Sequence, residues 1–412
     1  LTNVRTAGKV SRKLEGSTVK KPATLVVLAA ALSFVFPGTP AAAQSTIYNF
    51  TPQSGNNSYA TPAFDAHGNL YVTTTDGGGG DGTLVELIPS NGSWTAKVRW
   101  FFGKNPGDGS DPYAGVIFDR AGNLYGTTAN GGANGVGTVY KMTPTGSGFY
   151  TETILYSFIA GSTDGANPYC TLVFDNLGNL YGTTTAGGTF GDGTVFELSR
   201  ESGYAETILY NFNRSGTGDW YPYAGLALDP FGNLYGTTVR GGQYGGGAAF
   251  ELMPGDGGVW TQNILHSFGA RRTDGSTPYG GLIFDNLGNL YGTTQGGGGP
   301  NALGTVFQLS PRENGTWAET ILADLGPDLG EPHAGLAMDS QGNLFGTGQY
   351  GTFELTPIEG GGWSLSRNGV FVRPGGVHCY SGLVLSGDGT ALYGTTSEGG
   401  TYNNGTVFEI TQ

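Results

Sequence analysis

Apolar and polar positions follow one another along this chain in short runs that suit pleated strands better than helices, and the runs recur. The fullest copy spans residues 278–325. Tyr279-Gly280-Gly281-Leu282-Ile283-Phe284 reads as a short apolar strand, and Asp285 to Asn289 as a tight polar turn. Leu290 to Thr294, where Leu, Tyr and Thr alternate, reads as a second, half-buried strand. A glycine-rich loop, Gln295 to Leu303, leads to a third strand at Gly304 to Leu309. After a turn at Pro311 to Gly315, Thr316 to Leu325 makes a fourth. The second strand recurs seven times, centred on Tyr71, Tyr125, Tyr181, Tyr235, Tyr291, Phe345 and Tyr393, at intervals of 54, 56, 54, 56, 54 and 48 residues. A period near fifty with four strands in each copy predicts one propeller blade per copy.

The third strand is found seven times but the fourth only six times after it. The missing copy stands at the other end of the chain, where residues 45–50 (Ser-Thr-Ile-Tyr-Asn-Phe) match the run from Glu206 to Phe212. The expected fold is therefore all-β: a seven-bladed β-propeller of four-stranded antiparallel blades over residues 44–412. Its last blade is closed by the N-terminal strand of the mature chain. A ring closed in that way leaves no lateral edge open to association, and a monomer is expected.

Residues 1–43 read differently. Six Lys/Arg and one Glu precede or flank the apolar run Leu25 to Phe36, and Ala41-Ala42-Ala43 follows. This is the layout of a secretory signal peptide with a long basic leading region, and the run is short for a bilayer span. Export is expected, to the medium, the periplasm or the cell surface, with no transmembrane span in the mature chain. Of 19 basic and 32 acidic residues, 13 and 31 then remain, a net charge of −18. Such a surface repels phosphate backbones, so nucleic acid is excluded as a partner. The two cysteines, Cys170 and Cys379, fall in the third and seventh repeats. Opposite sides of a ring exceed the reach of a disulfide, so buried free thiols are expected in preference to a bridge.

Gly-Asn-Leu-Tyr-Gly-Thr-Thr, the Gly-Gly after it, and Gly-Thr-Val-Phe-Glu-Leu resemble the tandem repeat labelled GloVer. It is found in secreted bacterial "choice-of-anchor" proteins, which end in differing surface-attachment tails. The likeness covers residues 45–412 and implies export and a cell-surface location. It carries no catalytic residue, and the expectation here is a chain without an attachment tail. A looser likeness, Gly-Leu-x-Phe-Asp followed by Gly-Asn-Leu-Tyr, is shared with other propellers, including binding modules and sugar-lactone hydrolases or lyases.

Propellers bind at the mouth of their central channel. If the first strand is innermost, the residue six before each Phe-Asp aspartate rings that mouth: Tyr59, Tyr113, Tyr169, Tyr223, Tyr279, His333 and, by alignment through Leu383, Tyr380. Asp108, Asp164 and Asp274 stand five residues before three of these, Asp328 before His333, and Asp219 one position off; Asp111 and Glu331 add carboxylates. Aromatic faces beside carboxylates suit sugar rings and their hydroxyls, or oxygen ligands for Ca²⁺. The same residues also have a plain packing and turn reading. His333 and His378, with Glu331 and Asp328, are the candidates for general acid–base chemistry, while His67 and His266 fall outside the mouth. Asp76 and Asp81, in the loop Asp76 to Gly82, are the candidate Ca²⁺ ligands. No Gly-Lys-Ser/Thr follows that loop, so it is no nucleotide cradle. The expected function is a binding module for an extracellular glycan or protein surface. The alternatives are a metal-assisted lyase or hydrolase using His333 or His378, and a structural envelope protein.

Overall fold

Asp285 begins the turn from which each blade is built. Its Oδ1 accepts the backbone N–H of Leu287 and Asn289 (2.8 and 2.9 Å), while Oδ2 accepts Asn289 Nδ2 (2.7 Å) and the Tyr291 hydroxyl (3.0 Å). Asp119, Asp175 and Asp229 repeat all four bonds. Gly288 sits at φ +83°, a left-handed position that an L side chain rarely adopts, which is why glycine recurs there. The recurrent Asp-x-x-Gly-Asn-Leu-Tyr is thus one self-satisfied turn with a strand behind it.

The structure is a computed structural model that describes residues 43–412 apart from 147, 162 and 374. The expected signal peptide, but for its last residue, lies outside the described residues. Seven four-stranded antiparallel sheets form, as the repeats predict. In the fifth blade the order from the axis outward is Ile283–Phe284, Leu290–Thr294, Thr305–Pro311 and Trp317–Asp324. In the seventh it is Val384–Leu385, Ala391–Thr396, Thr406–Thr411 and then Ala43–Asn49 from the start of the chain. Ser45 pairs with Glu409 and Thr46 with Phe408, so the ring closes as expected. Among the described residues no helix is long and apolar enough to cross a membrane.

Three features were not legible in the pattern. The innermost strand is a ladder of only two residues, where the sequence suggested six from Tyr279 to Phe284. The remainder of that segment bonds sideways. The first Thr of each Gly-Thr-Thr-like run gives its hydroxyl proton to a carbonyl of the next blade's inner segment: Thr73 to Ala114, Thr127 to Cys170, Thr183 to Ala224, Thr237 to Gly280, Thr293 to Ala334, Thr347 to Ser381 and Thr395 to Ala60 (2.7–3.1 Å). The seventh bond joins the last blade to the first and completes the circle. Each outer strand also carries one β-bulge at the same place, for example at Leu209 between the pairs Val195–Tyr210 and Phe196–Ile208. A bulge re-aims side chains and tightens the twist.

The core lies between blades. Phe158 at the end of the second blade's outer strand meets Phe196 of the third at 5.2 Å, and Phe212 meets Phe250 of the fourth at 5.3 Å. All four rings are fully buried. Gly182, Gly236 and Gly292 lie beneath the third-strand aromatics: a Cβ at Gly292 would come within 2.6 Å of Phe307. In the first blade, where Val85 replaces the aromatic, the glycine position holds Val72, and the two are paired across the ladder. Cys170 and Cys379 are free and buried, as expected.

Candidate functional site

The backbone nearest the axis of the ring is the inner segment just before each first strand. Pro precedes the mouth aromatic in five blades and fixes the approach. The seven predicted positions are brought together in one closed ring of aromatic contacts. Successive centroid separations are 5.2 Å (Tyr59–Tyr113), 4.8 Å (Tyr113–Tyr169), 4.9 Å (Tyr169–Tyr223), 5.4 Å (Tyr223–Tyr279), 5.2 Å (Tyr279–His333), 4.7 Å (His333–Tyr380) and 5.5 Å (Tyr380–Tyr59). All seven line a cavity of ≈ 480 Å³ on the axis. Tyr221, which stacks on Tyr223 at 6.4 Å, is an eighth aromatic in that lining. Sequence reasoning missed it, although it stands two residues before Tyr223, where five of the other copies have no aromatic ring and the seventh has His378.

Two sets of tyrosines, those of the second strands and those of the mouth, are placed differently. Those of the second strand are satisfied: Tyr235 gives its hydroxyl to Glu251 (2.6 Å), and Tyr393 to Glu409 (2.6 Å). The hydroxyls of Tyr59, Tyr113, Tyr169, Tyr223 and Tyr279 have no hydrogen-bond partner among the described residues, and these side chains are half-buried at the mouth. Burial and the neighbouring phenols of Tyr169 and Tyr59 push the Tyr113 pKa up to about 12, and burial raises that of Tyr223 as well. The ring therefore offers phenol hydroxyls with donor and acceptor capacity to spare.

His333 differs from what its sequence position suggested. Burial pushes its pKa down to about 4, so it is neutral at pH 7. Its Nε2 lies 3.0 Å from Gln295 Nε2, which can only donate, so the imidazole accepts there. Glu331 Oε2 takes the other proton of that amide at 3.0 Å. The carboxylate thus reaches the histidine through Gln295. Asp328 pairs with Arg367 at 3.4 Å near the surface. His378 faces Glu398 at 3.5 Å and meets Tyr380 only at 6.4 Å between ring centroids, outside the cavity lining. The four candidate acid–base residues do not converge on one point.

The aspartates are placed elsewhere too. Asp108, Asp164 and Asp274 are buried in the loops that lead to the mouth and do not line the cavity. Asp164 accepts from the backbone of Ile159 (2.6 Å) and Gly165 (2.7 Å) and from the Tyr156 hydroxyl (3.1 Å); Asp274 accepts from Ala270 N–H (2.9 Å). They organise their loops, as turn aspartates do. Asp76 accepts from Asn57 Nδ2 at 2.8 Å, and Asp81 packs against Gly103. Neither lies in a cluster of three or more potential metal ligands among the described residues.

A family model described as the Gloeobacter/Verrucomicrobia repeat matches residues 29–229 and 202–354. Among solved structures, a catalytically inactive virginiamycin B lyase of Staphylococcus aureus with quinupristin is similar. Its TM-score is 0.59 at 12% identity, over 90% of this chain and 100% of the other. PorZ, a surface component of the type-IX secretion system of Porphyromonas gingivalis, has a TM-score of 0.55 at 14% identity over 87% of this chain and 46% of its own. The extracellular domain of a putative hybrid two-component system of B. thetaiotaomicron gives 0.52 at 13%, over 89% and 41%. Identities this low carry the fold alone. No curated protein matches the sequence.

Proposed function

The chain belongs to the Gloeobacter/Verrucomicrobia repeat family, and from that premise we propose that it is an exported propeller whose aromatic mouth binds a glycan. The observation that carries this reading is the set of five phenol hydroxyls without a partner among the described residues, set on a ring of aromatic faces around a cavity of ≈ 480 Å³. Sugars offer apolar C–H faces and a rim of hydroxyls, and a neutral phenol serves both, stacking with one and exchanging hydrogen bonds with the other. A cavity of this size takes one or two sugar rings and buries too little for a folded protein surface. A lyase or hydrolase is supported less well: a histidine held near pKa 4 is a weak base at neutral pH, and no carboxylate touches it directly.

A glycan array probed with the described domain is expected to give saturable binding that Tyr223→Ala with Tyr279→Ala abolishes. The matching Tyr→Phe pair should keep the stacking and lose the hydroxyl bonds, weakening binding about 10-fold. Unchanged binding in the double alanine variant would move the site off the mouth.

A further inference from the structure

Among the described residues one set of three His, Asp or Glu side chains brings a ligand atom from each within 4.8 Å of the others: His266, Asp274 and Glu319. It lies outside the mouth, where the outer strand of the fourth blade (Trp260–Ser267) faces that of the fifth (Trp317–Asp324). Equivalent sets occupy the three preceding junctions, each with an aromatic side chain at the imidazole's position, and in two of them a tyrosine hydroxyl donates into the set. Tyr156 gives its hydroxyl proton to Asp164 beside Glu206. Tyr210 gives its own to Gln262 (2.7 Å), whose amide donates to Asp219 (2.9 Å). Trp100 stands at the matching register position of the first junction, where Asp108 acts on Glu152, but its indole N–H has no partner among the described residues. Only the junction of blades four and five has an imidazole there.

The distances admit two uses of that imidazole, a long hydrogen bond to Asp274 and a metal ligand. His266 Nε2 is 3.3 Å from Asp274 Oδ1 and 3.3 Å from Glu319 Oε2. A charged N–H···O bond would sit at about 2.7–2.9 Å, and one N–H serves one acceptor well. Two separations of 3.3 Å instead match the edges of a tetrahedron, since metal bonds of about 2.0–2.1 Å put neighbouring ligand atoms about 3.3–3.4 Å apart. Asp274 Oδ2 is held by Ala270 N–H at 2.9 Å, which leaves Oδ1 aimed at the imidazole. Glu319 Oε1 is shut off from solvent with no partner of its own, as are Glu152 Oε1 and Glu206 Oε1 at the junctions without an imidazole, so it is the histidine that sets this junction apart. A cavity of ≈ 320 Å³ opens onto the three residues and gives a route in and room for a water as fourth ligand. Arg271 lines the same cavity and opposes a dication, so the site is expected to be moderate in affinity.

We propose that His266, Asp274 and Glu319 bind one divalent transition-metal ion, Zn²⁺ by preference, that clamps the fourth blade to the fifth. One imidazole and two carboxylates form a donor set that suits Zn²⁺ and disfavours Ca²⁺ or Mg²⁺, which take oxygen alone. The dication neutralises two carboxylates that would otherwise share a buried junction.

The test titrates chelator-dialysed protein with Zn²⁺ by calorimetry and with Co²⁺ by visible absorption. One Zn²⁺ per chain is expected, along with the intense bands of tetrahedral Co²⁺ that Zn²⁺ then displaces. His266→Tyr installs the phenol of the Tyr156 and Tyr210 junctions, and Glu319→Gln the amide of Gln262, so both variants are tolerated by the fold. Each should weaken Zn²⁺ at least about 100-fold while the metal-free melting temperature moves by only a few degrees. Absence of stoichiometric uptake by the native protein, or undiminished affinity in both variants, would overturn the proposal.

Discussion

At the scale of single residues, carboxyl groups set between blades are expected to make this protein sensitive to alkali. Burial first, and Asp164 second, push Glu206 up to about 8 from its ordinary 4.5. Its proton is therefore held in the folded state and lost in the unfolded one between those values, so stability is fully present below about pH 4.5 and declines as pH rises toward 8. The protein has already solved this problem once: in the next blade Gln262 occupies the same place and donates to Asp219 at 2.9 Å. Glu206→Gln is accordingly expected to change little at pH 5 and to stabilise by about 1–2 kcal/mol at pH 8.5, after discounting for the water that reaches a half-buried group. Thermal melts of both proteins at the two pH values check this; equal shifts at both would mean that Glu206 is ionised in the fold.

At the scale of the strand, the packing of the second on the third is a lock between one residue and its opposite. Gly292 is required because Phe307 fills the space over it, and Val72 is allowed because Val85 does not. Gly292→Val should cost about 2–3 kcal/mol through overpacking. Phe307→Val should also destabilise, by emptying a buried ring site. Joined, the pair recreates the first blade's combination, and the double variant should be more stable than the sum of the single losses by at least about 1 kcal/mol. Urea midpoints for the four proteins give that coupling; simple additivity would show that the two positions do not share one space. The turn at Asp285 to Asn289 was readable from sequence because its bonds are all local. The bulge at Leu209 was not, because only pairing with Val195 and Phe196 reveals which residue is extra.

At the scale of the whole molecule, the segment Ala43–Asn49 is the fastening of the ring. Deleting residues 43–49 leaves the last blade with three strands and the edge of Thr406–Thr411 bare. Such an edge recruits other chains. The truncated protein is expected to melt several degrees lower and to associate in light scattering, where the longer chain stays monodisperse; an unchanged melt would show that the ring holds without its fastening. Seven copies of a four-strand pattern, and the odd strand count that places the opening segment in the last blade, stand in the amino-acid order because alternation and turn chemistry are local properties. So does the identity of the residues that meet at the axis: a period near fifty sends Tyr113, Tyr169, Tyr223 and Tyr279 to equivalent places in whatever array forms. Tertiary structure alone decided what those residues do there. Whether a hydroxyl is satisfied, as at Tyr235, or without a partner among the described residues, as at Tyr279, depends on which neighbour lies within 3 Å. Whether a carboxylate faces a ligand or its own loop, as at Asp164, depends on burial. Neither quantity exists until strands far apart in the chain are packed side by side.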